Sequence, residues 1–266
     1  MRLSIDHRTT YRFTAPQGRV VQLLRVTPPN THDQTVADWH IAVDCDARVR
    51  EHRDGFGNRT TMLYAEGPLE KIEIEVTGEV VTSHSDGVLH GTFEPLPPRI
   101  FLRATQATAC DEAIEAFARE AFAQDRTLAG LHRLNAAIRA RFRLSRARPE
   151  PGLAAAAAFA RTEATARDLA QIFVTAARAA GVPARYVTGY CDLQDDHRPT
   201  PHGWAEAWVE GLGWVGFDPT LGLSPQEHHV RVAIALDAAG SSPVAGSRLG
   251  EGRECLDVDV TVSAQG

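Results

Sequence analysis

Residues 202–220 read HGWAEAWVEGLGWVGFDPT. Apolar and polar residues alternate on either side of EGLG, residues 210–213, which is the pattern of two strands joined by a tight turn. Upstream, EATARDLAQ at 163–171 opens a helix. Thr165 followed three residues later by Asp168 matches a capping box, in which each side chain satisfies an exposed amide of the first turn. Ala166 is then the first helical residue. Leu169, Phe173, Ala176 and Ala180 form one apolar face, and Gly181 followed by Pro183 ends the helix. Between helix and hairpin, ARYVTGY (184–190) reads as a strand and CDLQDDHRPTP (191–201) as a polar turn. A helix laid across an antiparallel sheet follows, so the region from residue 104 to 225 is expected to be an α+β domain.

Farther out the period changes. From residue 1 to 103 it is two: VVQLLRVTP, DWHIAVDCDARVREH, NRTTMLYAEG and KIEIEVTGEVV are β-branched segments punctuated by PPN, DGFGN and EGP. In the last of these, Ile72, Ile74, Val76 and Val80 oppose Lys71, Glu73, Glu75 and Thr77, which predicts a half-exposed antiparallel sheet. EPLPPRIFLRAT at 94–105 breaks the alternation with three prolines and marks the junction. CDEAIEAFAREAFA and RTLAGLHRLNAAIRARFRL then carry apolar residues at helical steps, and ARPEPGLAAAAAFA is a connector ending in helix. In the remainder, 226–266, RVAIALDAAG and CLDVDVTV are expected to add strands as a C-terminal β extension.

The chain has 266 residues, 43% of them hydrophobic and 23% charged, which excludes a disordered or disulfide-stapled class. Its four cysteines, Cys45, Cys110, Cys191 and Cys255, include no CxxC pair, so neither a structural zinc site nor a redox dithiol is signalled, and a reducing cytoplasm is the expected setting. MRLSIDHRTTYRFT alternates in the manner of a strand, without the apolar run of a signal peptide. No run reaches the roughly 18 apolar residues of a membrane span. A net charge of −6 with interspersed signs gives no footprint for nucleic acid or an anionic membrane.

AAGVPARYVTGY, the hairpin HGWAEAWVEGLGWVGFDPT and the tail HVRVAIALDAAGSSPVAGSR resemble bacterial transglutaminase-like proteins, and EHRDGFGNRTTMLYAEGP resembles the region preceding their catalytic domain. The resemblance implies a papain-like core with a Cys-His-Asp triad: cysteine at a helix start, histidine opening one strand, aspartate ending the next. His202 and Asp218 stand in the second and third places. The first holds Ala166. The family pattern there runs Gly-Val-Cys, a polar residue, Asp, an aromatic residue, Ala and His, whereas this chain has Ala164, Thr165, Ala166, Arg167, Asp168, Leu169, Ala170 and Gln171. In such a triad the aspartate fixes the imidazole tautomer so that the other ring nitrogen takes the thiol proton, and a helix start further ionises the thiol. A methyl group cannot be a nucleophile.

Three functions are compatible with this pattern. A pseudoenzyme would keep the cleft to bind a peptide or acyl-amide group and would regulate an active relative; the several changed residues around Ala166 favour it. An active cysteine protease, amidase or acyltransferase inactivated by a Cys-to-Ala substitution is the second. The third is an assembly protein acting through its N-terminal sheet. The resemblance also suggests partnership with ATP-grasp peptide-forming enzymes; no run matches an oxygen-ligand loop for calcium, and no cofactor is expected. Cys191 lacks a helix start and reads as a partly buried loop thiol, and Cys45, Cys110 and Cys255 read as packing. Trp204, Trp208 and Trp214 read as hairpin core. No spacing among His197, His202, His228 and His229 places two of them on one helical face as metal ligands; His228-His229 reads as a solvated turn and residues 195–198 as a solvated loop tip.

Overall fold

The computed structural model describes residues 1–123, 125, 127–192 and 200–265. The N-terminal half is built on two long antiparallel strands, β1 (Arg2–Leu24) and β4 (Arg59–Thr82). Along one outer edge of β4 lie β2 (Gln34–Val43) and β3 (Ala47–Arg53), separated by the Asp44–Asp46 break inside what the alternation presented as one segment. EGP, expected as punctuation, lies inside β4: the strand runs on past Gly67 and Pro68, and the register against β1 shifts between Arg12 and Arg19 to absorb it. Leu63, Ala65, Ile72, Ile74 and Val76 fall on the buried face, as the period of two requires.

After the proline-rich junction, in which Phe101 is buried, the chain forms α1 (Glu112–Ala121), α2 (Leu128–Arg141), a short β5 (Arg143–Leu144), α3 (Ala155–Phe159), β6 (Glu163–Ala164) paired parallel with β5, and α4 (Ala166–Ala179). Then come β7 (Ala184–Cys191), β8 (His202–Val209), β9 (Gly213–Phe217) and β10 (His229–Ala235). These four form an antiparallel sheet in the order β10-β7-β8-β9. Helix α4 is apolar beyond its predicted stripe, with Leu169 through Ala177 buried, because α1, α2 and α3 cover the side the sheet does not. Gly181 closes it with φ of 80°, a left-handed conformation that glycine adopts without strain. The fold is α+β, a papain-like core preceded by a β-rich region.

The segment 226–266 divides between the two sheets. β10 extends the second, while β11 (Val244–Leu249) and β12 (Glu254–Gln265) pair with successive halves of β1 in the first. The halves of the molecule are joined by Leu3, Ile5 and Val80 packing on Tyr190, Val230 and Val232. Two side-chain amides complete the joint by imitating a neighbouring strand. Gln34 accepts from Arg231 N–H at 2.7 Å and donates to Arg231 C=O at 2.9 Å; Asn58 does the same with Ile234, at 2.8 Å each. No helix among the described residues is long and apolar enough to cross a membrane.

Candidate functional site

The start of α4 is fixed locally. The Thr165 backbone N–H and hydroxyl donate to Asp168 Oδ2 at 3.1 and 2.7 Å, completing the capping box. Arg167 lies against Asp168 Oδ1 at 2.8 Å and donates to Glu150 C=O at 2.6 Å, which holds the connector beside the helix start. Ala166 is the first helical residue, as predicted. Gly203 allows β8 to approach this point: a Cβ there would sit 2.0 Å from the Tyr186 hydroxyl and 3.4 Å from Arg167 Cα. The neighbouring His202 is thereby delivered to the same cleft as Thr165 and Ala166.

The hairpin delivers Asp218. Val209 pairs with Gly213 and Ala205 with Phe217, so Asp218 follows directly from the last register pair, within reach of the strand's first residue. Its Oδ2 lies 2.7 Å from His202 Nε2, and its Oδ1 accepts the Thr220 N–H at 2.8 Å. All of this is buried, with His202 5% exposed and Asp218 fully enclosed. Burial alone would raise the Asp218 carboxyl, but the charge and hydrogen bonds of His202 and His229 outweigh it and hold the carboxyl well below the usual carboxylate range. An ionised carboxylate only accepts, so His202 presents its Nε2–H to Asp218. Among the described residues, its Nδ1 is buried without a hydrogen-bond partner.

His229 corrects the expectation of a solvated turn. It is the first residue of β10, 7% exposed, and its Nε2 lies 3.1 Å from the same Asp218 Oδ2 while its Nδ1 accepts from Gln226 N–H at 3.2 Å. Trp204 is packed beside both imidazoles, with ring centroids 5.9 Å from His202 and 5.4 Å from His229. Cys191 ends β7 opposite His229, and its sulfur lies with one ring nitrogen of His202 and one of His229 so that all three are within 4.8 Å of one another. Helical spacing could not find this group, because a sheet assembles it. The available signal was the alternation in HVRVAIA, which marks a strand but not its neighbour.

Trp204 and Trp214 are core as expected, and Trp208 is half-buried. Cys110 and Cys255 are exposed, against the expectation of packing, and Cys45 is half-buried against the first sheet's core. Cys110 precedes α1 outside its apolar face, and β12 is an edge strand with one side open. Residues 195–198, including His197, lie outside the described residues.

Comparison with known proteins agrees with this architecture. The family model described as the bacterial transglutaminase-like N-terminal region matches residues 3–81, and that of the transglutaminase-like superfamily matches residues 115–219. The chain is 24% identical to an uncharacterised protein of Mycobacterium leprae, over 98% of both chains. It is 35% identical to a protein-glutamine gamma-glutamyltransferase of Pseudomonas aeruginosa over 71 residues, which is 23% of this chain and 11% of that protein. A crystal structure of a candidate cysteine protease from Cytophaga hutchinsonii superposes with a TM-score of 0.78 at 19% identity, covering 99% of this chain and 90% of that one, and so shares the fold. With two adjacent family models matched in order, and His202 and Asp218 meeting inside the matched core, the chain belongs to the transglutaminase-like superfamily and carries the bacterial N-terminal region ahead of the core.

Proposed function

We propose that this protein is a pseudoenzyme of the superfamily, one that binds a peptide or acyl-amide group in a retained cleft without forming an acyl-enzyme. The carrying observation is the hydrogen-bonded His202–Asp218 pair at 2.7 Å beside a cleft in which position 166 presents a methyl group. The pair leaves His202 Nδ1 as a proton acceptor, which in acyl-transfer chemistry takes a proton from a thiol. Ala166 has no such proton. What the site still offers is binding: first-turn amides of α4 for an acyl oxygen, the positive end of the helix dipole, and the Arg167 side chain in the lining. The cleft measures about 330 Å³ including its solvent-open part.

The test pairs titration calorimetry with a turnover assay on one glutamine-containing peptide. The protein as it stands should bind the peptide and release no ammonia above background, and Arg167→Ala should weaken binding. Residual polarisation without a nucleophile leaves about 10³ to 10⁴ over the uncatalysed rate in serine proteases, too slow to register as ordinary turnover. Iodoacetamide-sensitive ammonia release by the unmodified chain would overturn the reading.

A further inference from the structure

We infer that Cys191, His202 and His229 form a binding site for a borderline-soft divalent cation, for which zinc is the natural occupant. The sheet itself makes the grouping. His229 pairs with Cys191 across β10 and β7, and His202 pairs with Gly189 across β8 and β7. Gly189 and Cys191 are two residues apart and therefore on one face of β7, so the three side chains rise from the same face. One thiol and two imidazoles is a donor set that zinc prefers to the hard oxygen-binding cations.

Geometry and charge agree. With zinc–sulfur and zinc–nitrogen bonds of about 2.3 and 2.0 Å, donor atoms around a tetrahedral ion stand roughly 3.3 to 3.6 Å apart. The three donors here lie within 4.8 Å of one another, so closing on an ion needs displacements of about an ångström, within reach of side-chain torsions. His202 Nδ1 is an independent indication, being a buried nitrogen without a hydrogen-bond partner among the described residues, in a residue only 5% exposed. Asp218 touches both imidazoles, at 2.7 and 3.1 Å, and carboxylates in that position orient metal-bound histidines and raise their basicity; with Nε2 on Asp218, His229 binds the ion through Nδ1 by giving up the Gln226 N–H that it accepts at 3.2 Å. A Cys191 thiolate and the Asp218 carboxylate together balance the two positive charges of the ion. Cys191 is half-exposed, which provides an entry path, and three protein donors leave one coordination position for water or a ligand. The inference goes beyond the pseudoenzyme reading and does not depend on it.

The experiment uses the full chain, stripped with chelator and titrated with cobalt(II), followed by zinc competition. Expected is one ion per chain with a sulfur-to-cobalt charge-transfer band in the near ultraviolet, both lost on adding zinc. Cys191→Ser should abolish the band and weaken zinc at least tenfold, and Asp218→Asn should weaken it about 10- to 100-fold. His32→Gln is the control for surface binding, since His32 and His90 lie together, ring centroids 6.0 Å apart, and neither belongs to this group. Cobalt binding without the thiolate band, or zinc affinity unchanged by Cys191→Ser but lost in His32→Gln, would overturn the site. If His229→Gln does not fold, Cys191→Ser, whose melting temperature should match the parent's in chelator, still decides. Turnover plays no part in the readout, so an active enzyme would leave this result intact.

Discussion

Replacing Glu206 by glutamine should remove a large share of the protein's stability while leaving its shape nearly unchanged. Glu206 lies in β8 two residues beyond Trp204 and is 2% exposed. Its Oε2 accepts from Arg185 Nε at 2.6 Å and Arg231 at 3.2 Å, and its Oε1 accepts from Arg231 Nε at 2.7 Å. Arg185 is itself fully buried, held by Glu94 at 2.6 and 2.8 Å and lying 3.8 Å over the Trp214 ring. Two guanidiniums thus face two carboxylates, and the network ties β7, β8 and β10 into the register that sets His202 beside His229. Burial by itself raises the Glu206 carboxyl, but Arg231 and Arg185 outweigh it and bring it down from 4.5 to about 2. At about 1.4 kcal/mol per pH unit, that is on the order of 3 kcal/mol of stability from ionisation. Breaking one partner of a buried ion pair costs about 3 to 5 kcal/mol, which agrees.

Because the folded-state value is depressed, this contribution is complete above pH 4.5 and is lost as pH falls towards about 2. Urea unfolding followed by tryptophan fluorescence should therefore place Glu206→Gln about 3 to 4 kcal/mol below the parent at pH 7. The gap should narrow steadily between pH 4.5 and 3. Other carboxylates destabilise both proteins in acid, and the difference isolates Glu206. A gap below about 1 kcal/mol at pH 7, as for an exposed pair, would refute the reasoning. So would a gap that stays constant on acidification.

Three further outcomes are expected. Thr165→Ala removes the side-chain cap of α4 and takes from Asp168 its closest partner, the Thr165 hydroxyl at 2.7 Å, so thermal melting should show a loss of about 1 to 2 kcal/mol; an unchanged melting temperature would mean the capping box does not hold this end. In Ala166→Cys the new thiol, at a helix start beside His202, should be alkylated rapidly near neutral pH, yet ammonia release should stay low because Thr165 and Gln171 replace the family's residues around it; rapid turnover on a glutamine-containing peptide would reject the pseudoenzyme reading. His7 is buried between the two sheets, hydrogen-bonded to Tyr190 at 2.9 Å, and burial lowers it from 6.5 to about 4 against the pull of Asp259. The unfolded chain then takes up a proton that the folded chain refuses between pH 6.5 and 4, so stability falls across that window as pH drops. An imidazole resonance of His7 titrating above pH 6 would contradict this burial.

The features legible in the sequence are those decided by near neighbours. The Thr165–Asp168 cap spans one helical turn, and its hydrogen bonds are the ones the residue types call for. The alternation on either side of EGLG places His202 at one end of a hairpin and Asp218 at the other, and strand register brings them together whatever stands at position 166. Composition alone misjudged shorter breaks, since Gly67 and Pro68 are carried inside β4, where pairing to β1 on one side and to β2 and β3 on the other outweighs the local preference for a turn.

What only the tertiary structure decided is the neighbourhood of that pair. His229 is remote from His202 along the chain and is brought to Asp218 because β10 crosses back to lie beside β7, an order that no local pattern specifies. The same crossing places Cys191 opposite His229 and allows Arg231 to meet Glu206, so the buried ion network and the thiol–imidazole group arise together. Gln34 and Asn58 read as ordinary polar residues in sequence, yet each grips the backbone of β10 from the other sheet. Periodicity reports which face of an element is buried, through the free energy of removing its apolar side chains from water; it does not report which element covers that face, because many partners offer the same apolar surface. Non-local pairing made that choice here, and with it the chemistry gathered around Asp218.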